Sequence, residues 1–288
     1  MMTIIGMLVV IGAVAGGYMI VHGNFSVLFQ PAELVIIFGA ATGSLIIASP
    51  GKIFHAVIKD IKRVFTDTKV GKQQYLELLL LFNALFYKIK KEGLISVEAD
   101  IDNYKKSALF LKFPNIMMKD EEAADFICDT IRVMITANYP PHEVEALMEI
   151  DLEINSHERL VPSHMITKVA DALPGLGIVA AVLGVVLTMG IIDSPVEVLG
   201  HHIGAALVGT FLGILASYGF VGPMATNLEH KAKERDTYMN VLKTTLLAAY
   251  STQFMVQFAI EAGRRSIPNE DRPSFAETDI AMKKAKSK

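Results

Sequence analysis

The chain carries four stretches that are apolar almost without a break, separated by segments in which apolar residues recur at helical spacing among charges. The first runs from Thr3 to about Val21. It holds Gly12-Ala13-Val14-Ala15-Gly16-Gly17, small side chains that let a second helix approach closely. The second covers about residues 32–49. Pro31 opens it, where the missing N–H would have no helical partner anyway; Glu33 sits by the positive end of the helix dipole, and Ser49-Pro50-Gly51 stops it. Gly39 and Gly43 lie four apart on one of its faces. The third and fourth stretches cover about 170–191 and 203–222, with Asp193-Ser194-Pro195 between them. Each is about 17–22 residues long, enough to cross a hydrocarbon core of about 30 Å. The first stretch has no basic residue before it and no small-residue cleavage site leading into a soluble domain, so it reads as a retained span rather than a signal peptide.

Elsewhere the spacing predicts soluble helices. Ile53–Phe65 sets Lys59, Lys62 and Arg63 opposite an apolar face. Gln73–Lys91 has a stripe at Leu76, Leu79, Leu80, Phe82, Leu85, Phe86 and Ile89, then Gly93 as a stop. Ser96–Lys106 reads as a short helix and Ala108–Met118 as irregular. Glu121–Ala137 is helical up to Asn138-Tyr139-Pro140-Pro141, and His142–His157 is an acidic helix leading to the third span. After Pro223 a polar helix runs from about Thr226 to Gly263, followed by a solvated, disordered tail whose basic end, Lys283 to Lys288, has contact with an anionic leaflet as its other reading. No run alternates with period two. The pattern therefore predicts an all-α membrane protein: a transmembrane hairpin at 1–50, a helical cytoplasmic domain at 51–169, a second hairpin at 170–226, and a cytoplasmic helix and tail at 227–288.

Charge fixes the orientation. All 27 Lys and Arg residues fall within 51–169 and 227–288. Basic residues beside spans stay in the cytoplasm, which puts both termini and the large middle segment inside and two short loops outside. The net charge of −3, with no aromatic-interleaved basic patch, argues against a nucleic-acid partner. The single cysteine, Cys128, rules out an internal disulfide framework and reads as a buried small apolar residue.

No P-loop, HExxH, GxSxG or CxxC motif is present. His201-His202 is a poor metal pair, because neighbouring helical side chains diverge by about 100°. Polar groups at membrane depth carry more information, since they are costly in lipid. Thr210, flanked by Gly209 and Phe211, either lines a pore or bonds its hydroxyl to the carbonyl one turn earlier. Asp171 is either the N-cap of the third span or a carboxylate at the cytoplasmic mouth of a proton path, and Pro174 either a first-turn proline or a point of loosening. None of the four spans has an Asp or Glu at its centre, so an ion path lined by this chain calls for a carboxylate from another chain. Lys88, Lys90, Lys91 and Glu98 cluster around Gly93 as a solvated face or a docking surface.

Gln30-Pro31-Ala32-Glu33-Leu34-Val35-Ile36-Ile37, the run from Asp171-Ala172-Leu173-Pro174 to Val186, and Val208-Gly209-Thr210-Phe211-Leu212-Gly213-Ile214-Leu215 resemble the stator subunits of flagellar motors in the MotA/TolQ/ExbB proton channel family. So do Glu145-Ala146-Leu147-Met148 and Arg272-Pro273-Ser274-Phe275. The resemblance implies a ring of copies, thought to be five, around a dimer of the single-span MotB. That partner supplies the membrane aspartate and a peptidoglycan-binding domain. The resemblance also implies that ion flow turns the ring against the rotor protein FliG, with no cofactor, in the bacterial inner membrane. By position, Pro174 and Pro223 match the prolines linked to coupling, Thr210 the pore threonine, and Glu98 the acidic residue paired with rotor charges. Lys90 stands where relatives often carry arginine, which keeps the charge and loses the planar fork; Lys88 and Lys91 are candidates to share the role. Glu149 falls near a further cytoplasmic charge. Sodium-driven relatives tend to carry hydroxyls where this chain has Ala181 and Phe211, so the resemblance favours protons over sodium. The alternative is an ExbB/TolQ-like subunit energising outer-membrane processes, against which the four-span count argues. A membrane-embedded enzyme would need a catalytic cluster that the sequence lacks.

Overall fold

The computed structural model describes residues 2–66, 70–137 and 139–286, and among these every regular element is helical. Helices α1 (Met2–Ile20), α2 (Pro31–Ala48) and α3 (Gly51–Val64) lead into α4 (Lys72–Glu92), α5 (Glu121–Ala137) and the 49-residue α6 (Pro141–Met189). Then come α7 (Val196–Ile214), a π-helical segment at Leu215–Val221, α8 (Gly222–Ser251), α9 (Val256–Ser266) and α10 (Phe275–Lys286). Four helical runs, Met2–Ile20, Phe25–Ala48, Pro141–Met189 and Val196–Ser251, are long and apolar enough to cross a membrane.

The described residues of Met1–Thr68 and Arg159–Lys231 form one compact unit, and those of Lys69–Glu158 and Ala232–Lys288 a second. In the first unit, α1 is apolar on every side and buries none of its residues within the chain. Ile47 of α2 remains 89% exposed. Surfaces of this kind need lipid or another chain against them. The amphipathic α3 turns Val57 and Val64 onto Met165, Ile166, Ala225 and Leu228 and leaves its basic residues outside. A second cluster joins Ile37 and Ala41 of α2 to Leu173 and Ala180 of α6 and to Ala216.

The second unit has the larger core. The α4 stripe packs against α5, α8 and α9, with Phe82 and Phe86 stacked at 5.3 Å. Tyr75 and Leu78 are buried there, while Leu76 and Leu80 are only half-buried. Arg235 of α8 is tied through both terminal nitrogens to Asp120, at 2.6 and 2.5 Å, and reaches Glu122 at 3.0 Å. Burial opposes the charge on this guanidinium, but the hydrogen bonds to Asp120 outweigh it and hold the group firmly protonated. Burial pushes the Cys128 thiol up to about 12, which keeps it an unreactive part of the core.

Several expectations are corrected. The loop after the first span contains a helical turn, Phe25–Leu28, capped by the Asn24 side chain. The helix expected over 96–106 is split into Leu94–Val97, Glu98–Asp102 and Tyr104–Lys106. There Ser107 donates to Asp100 and accepts from the Leu109 and Phe110 N–H groups, bonds that compete with a continuing helix. Within 108–118, short turns at Phe110–Lys112 and Pro114–Met117 replace irregular chain. The helix after Pro223 ends at Ser251 rather than running on to Gly263. Gln253 and Phe254 turn the chain there with φ of 50° and 60°, and the Phe254 ring packs on Phe86 and Tyr250, which offsets the cost of left-handed backbone. The tail forms α10, opened by a reciprocal cap in which the Glu277 N–H donates to Ser274 Oγ and the Ser274 N–H to Glu277 Oε2. Asn138, Ser287 and Lys288, on which parts of the reading fell, lie outside the described residues.

The largest correction concerns the third span. The acidic helix and the span are one helix, α6, with Pro162 and Pro174 inside it. Asp171 is therefore no N-cap and Pro174 no first-turn residue. An interior proline forfeits one hydrogen bond and strains the turn before it, a cost of about 3 kcal/mol or more. Here Met165, Ile166, Ala170 and Leu173, all buried around the prolines, hold the helix together.

Candidate functional site

The first unit brings α6 and α7 together along glycines. A Cβ on Gly213 would stand 2.6 Å from the Leu173 carbonyl oxygen and 2.8 Å from Gly177 Cα. One on Gly177 would stand 2.8 Å from the Gly209 oxygen and 3.3 Å from Thr210 Cα. Further along, Gly184 faces Ala206, and Gly209 faces Ala180 and the Ala181 N–H. Backbone therefore meets backbone, which explains why small residues recur on both helices.

Thr210 and Ala181 both flank this seam and are half-buried. Thr188 and Thr42 spend their hydroxyls on carbonyls one turn back, at 2.8 and 2.7 Å. Thr210 makes no hydrogen bond among the described residues, so its hydroxyl is left for another group.

Glu33 also joins the seam. Its side chain is 7% exposed, with Oε2 2.6 Å from the place a Gly209 Cβ would take and Oε1 3.6 Å from that of Gly184. Oε2 has no hydrogen-bond partner among the described residues. From the sequence Glu33 reads only as a partner of the helix dipole, since it lies near a span end and not at a span centre. The combination of a glutamate two residues after the opening proline with glycines in both later spans was the signal that could have found it.

At the opposite end of the seam α6 and the segment around Pro223 enclose a cleft of about 630 Å³, lined by Thr167, Asp171, Ser217, Pro223, Asn227 and His230 among others. Ser217 is buried, and Asn227 Oδ1 is buried without a hydrogen-bond partner among the described residues. Pro223 follows the π-helical segment, in which the Gly222 N–H reaches back five residues to the Ser217 carbonyl. The wider turn relieves the ladder where Pro223 has no N–H to give. Pro174, half-buried, lies three residues past Asp171 and is not part of the cleft lining.

In the second unit, Lys90, Lys91 and Glu98 are exposed around Gly93, whose φ of 87° closes α4. Lys88, half-buried beside them, is ion-paired with Asp100 at 2.5 Å. Glu149 accepts from Lys243 at 3.0 Å, within the same unit. Lys90, Lys91 and Glu98 thus gather at the Gly93 turn, while Glu149, also exposed, lies beside Lys243. His201 and His202 present rings 6.1 Å apart at 80°, and among the described residues no three His, Cys, Asp or Glu side chains converge to hold a metal ion.

Residues 4–93 match the family model described as Motility protein A N-terminal, and residues 118–241 the one described as the MotA/TolQ/ExbB proton channel family. The chain is 42% identical to Motility protein A of Salmonella typhimurium (strain LT2), over 97% of this chain and 94% of that protein. It is 40% identical to Motility protein A of Escherichia coli (strain K12), over 100% and 97%. Among solved structures, the flagellar MotAB stator complex from Bacillus subtilis contains a chain similar in fold, with a TM-score of 0.75 at 24% identity, covering 96% of this chain and 100% of that one.

Proposed function

Because this chain belongs to the motility protein A family of MotA/TolQ/ExbB proton channels, we propose that it is the ring-forming stator subunit of a flagellar motor in the bacterial inner membrane. A MotB partner supplies the membrane aspartate, and five copies of this chain surround a dimer of it. The four apolar runs are spans, both termini are cytoplasmic, and the basic segments lie on the side of the anionic inner leaflet. The match of residues 4–93 to the motility protein A N-terminal model favours this reading over an ExbB/TolQ-like subunit.

The proton path follows the glycine-lined seam of α6 and α7. The Thr210 hydroxyl, unused by its own helix, hydrogen-bonds the partner's carboxyl group. Ala181 and Phe211 provide no side-chain oxygen, so nothing there replaces the hydration shell of sodium; a proton needs only a carboxylate and water. Asp171 and His230 receive protons at the cytoplasmic cleft. Pro174 and Pro223 each lack a ladder N–H, which makes α6 and the start of α8 bendable beside that cleft. Lys90 and Glu98, exposed at the Gly93 turn, push on charges of the rotor protein FliG.

The observation that carries this reading is the near-full-length likeness to motility proteins A, in a chain whose central threonine has an uncommitted hydroxyl. The test is complementation of a strain lacking its own ring subunit. The chain restores swimming with its cognate partner and not without it, while Pro174→Leu and Pro223→Leu accumulate in the membrane and leave cells non-motile. Failure of the wild-type pair removes the stator reading, and normal swimming of either proline variant removes the coupling role.

A further inference from the structure

Glu33 is the third residue of α2, after Pro31 and Ala32. A glutamate at that position ordinarily reaches back to the backbone N–H of the capping residue. This one does not: among the described residues its Oε2 has no hydrogen-bond partner, and the Glu33 carboxyl group is inserted between α6 and α7. It occupies the room that Gly184 and Gly209 leave by having no side chain. Around it stand Ala180, the Ala181 backbone, Ala206 and the two glycines, and Oε2 is buried without a partner among the described residues.

An ionised carboxylate is an acceptor only, and burying one unpaired is costly. A carboxylic acid carries no charge and can donate. Any negative state in these surroundings must therefore be brief or matched by an arriving cation. An aliphatic side chain would fill the same room without that cost. The acid adjoins Gly209, the residue before Thr210, so two polar groups with unmet hydrogen-bonding capacity share one seam.

We propose that Glu33 is a proton-carrying group of the ion path, loaded from the side on which α2 begins and unloaded toward the Thr210 side. Its carboxylate takes a proton from hydronium, leaving water and a neutral acid. The acid then gives that proton to the partner's carboxylate and returns to the anion. The chain thus contributes an acid of its own, and this assignment rests on the channel reading above.

The test is proton flux into vesicles holding the purified complex with its single-span partner, read with a pH-sensitive dye. Glu33→Gln keeps the volume and removes the titratable group. We expect it to co-purify with the partner in the wild-type ratio and to lose flux at least tenfold, with Glu33→Asp retaining measurable flux. Flux of Glu33→Gln within twofold of wild type overturns the proposal. Should Glu33→Gln not assemble, the wild-type complex is treated with a hydrophobic carbodiimide, which attacks protonated carboxyls in apolar surroundings. Modification of Glu33 with loss of flux while the partner's carboxyl stays unmodified supports the proposal; full flux with Glu33 modified, or no modification of Glu33, overturns it. A wild-type complex that conducts while Glu33→Gln conducts equally leaves the channel reading standing, whereas a wild-type complex that conducts nothing removes both.

Discussion

Alanine at Gly177 or Gly213 should force α6 and α7 apart, while alanine at Gly175 should not. At Gly213 the added Cβ would lie 2.6 Å from the Leu173 oxygen, about 0.8 Å inside the 3.4 Å at which ordinary contact begins. At Gly177 the shortfall to the Gly209 oxygen is about 0.6 Å. Both obstacles are backbone, so no side chain can rotate out of the way. Relief requires moving whole helices, and overpacking of this kind costs about 1–3 kcal/mol. A Cβ on Gly175, two residues away on the same helix, meets nothing within 4 Å, and there alanine improves helix propensity by up to about 1 kcal/mol. The assay is thermal unfolding of the detergent-purified chain, in which a kcal/mol moves the midpoint by about 2–4 °C. We expect Gly177→Ala and Gly213→Ala to unfold several degrees lower and Gly175→Ala to match or exceed the wild type. An unchanged midpoint for Gly213→Ala, or an equal drop for Gly175→Ala, would refute the close-packing argument.

Arg235→Leu removes the cation that Asp120 and Glu122 share and should cost about 1–3 kcal/mol, visible as a lower unfolding midpoint; an unchanged midpoint would mean that water replaces the guanidinium. The Glu261 carboxyl is held at about 2, first by its hydrogen bond to Arg264 and then by Arg265. Its folded-state value is depressed, so its stabilisation is complete above the ordinary glutamate value of about 4.3 and is lost as pH falls through about 2. Glu261→Gln should therefore flatten the acid limb of the stability profile between those values, and an identical limb would exclude the pairing. Glu98→Lys should lower torque in tethered cells, with recovery when the opposing rotor charge is reversed. Failure of every rotor reversal to rescue it would take the docking role away from the Gly93 turn.

The four apolar runs, the all-helical class, the Gly93 stop and most of the α4 stripe were legible from the chain alone. Each follows from local rules: the length of an apolar run, the period of a stripe, the conformational freedom of one glycine. The same rules misjudged Asp171 and Pro174, because a proline reads locally as a helix start and only the packing of Met165, Ile166, Ala170 and Leu173 carries α6 through it. They also left Lys88 and Glu149 unpaired, since Asp100 and Lys243 lie 12 and 94 residues away and no periodicity announces such partners.

Sequence by itself determined where the long apolar surfaces lie, how the basic residues are distributed along the chain and, through resemblance, the family. Only the tertiary structure decided which polar groups at membrane depth are committed and which are left over. Thr188 and Thr210 are the same residue type in apolar runs, yet one hydroxyl is used by its own helix and the other is not. Glu33, near a helix end where charge is cheap, becomes a buried acid because two glycines more than 150 residues further along the chain open the space it enters. Hydrogen bonding and burial depend on neighbours distant in sequence, and the fold alone supplies those.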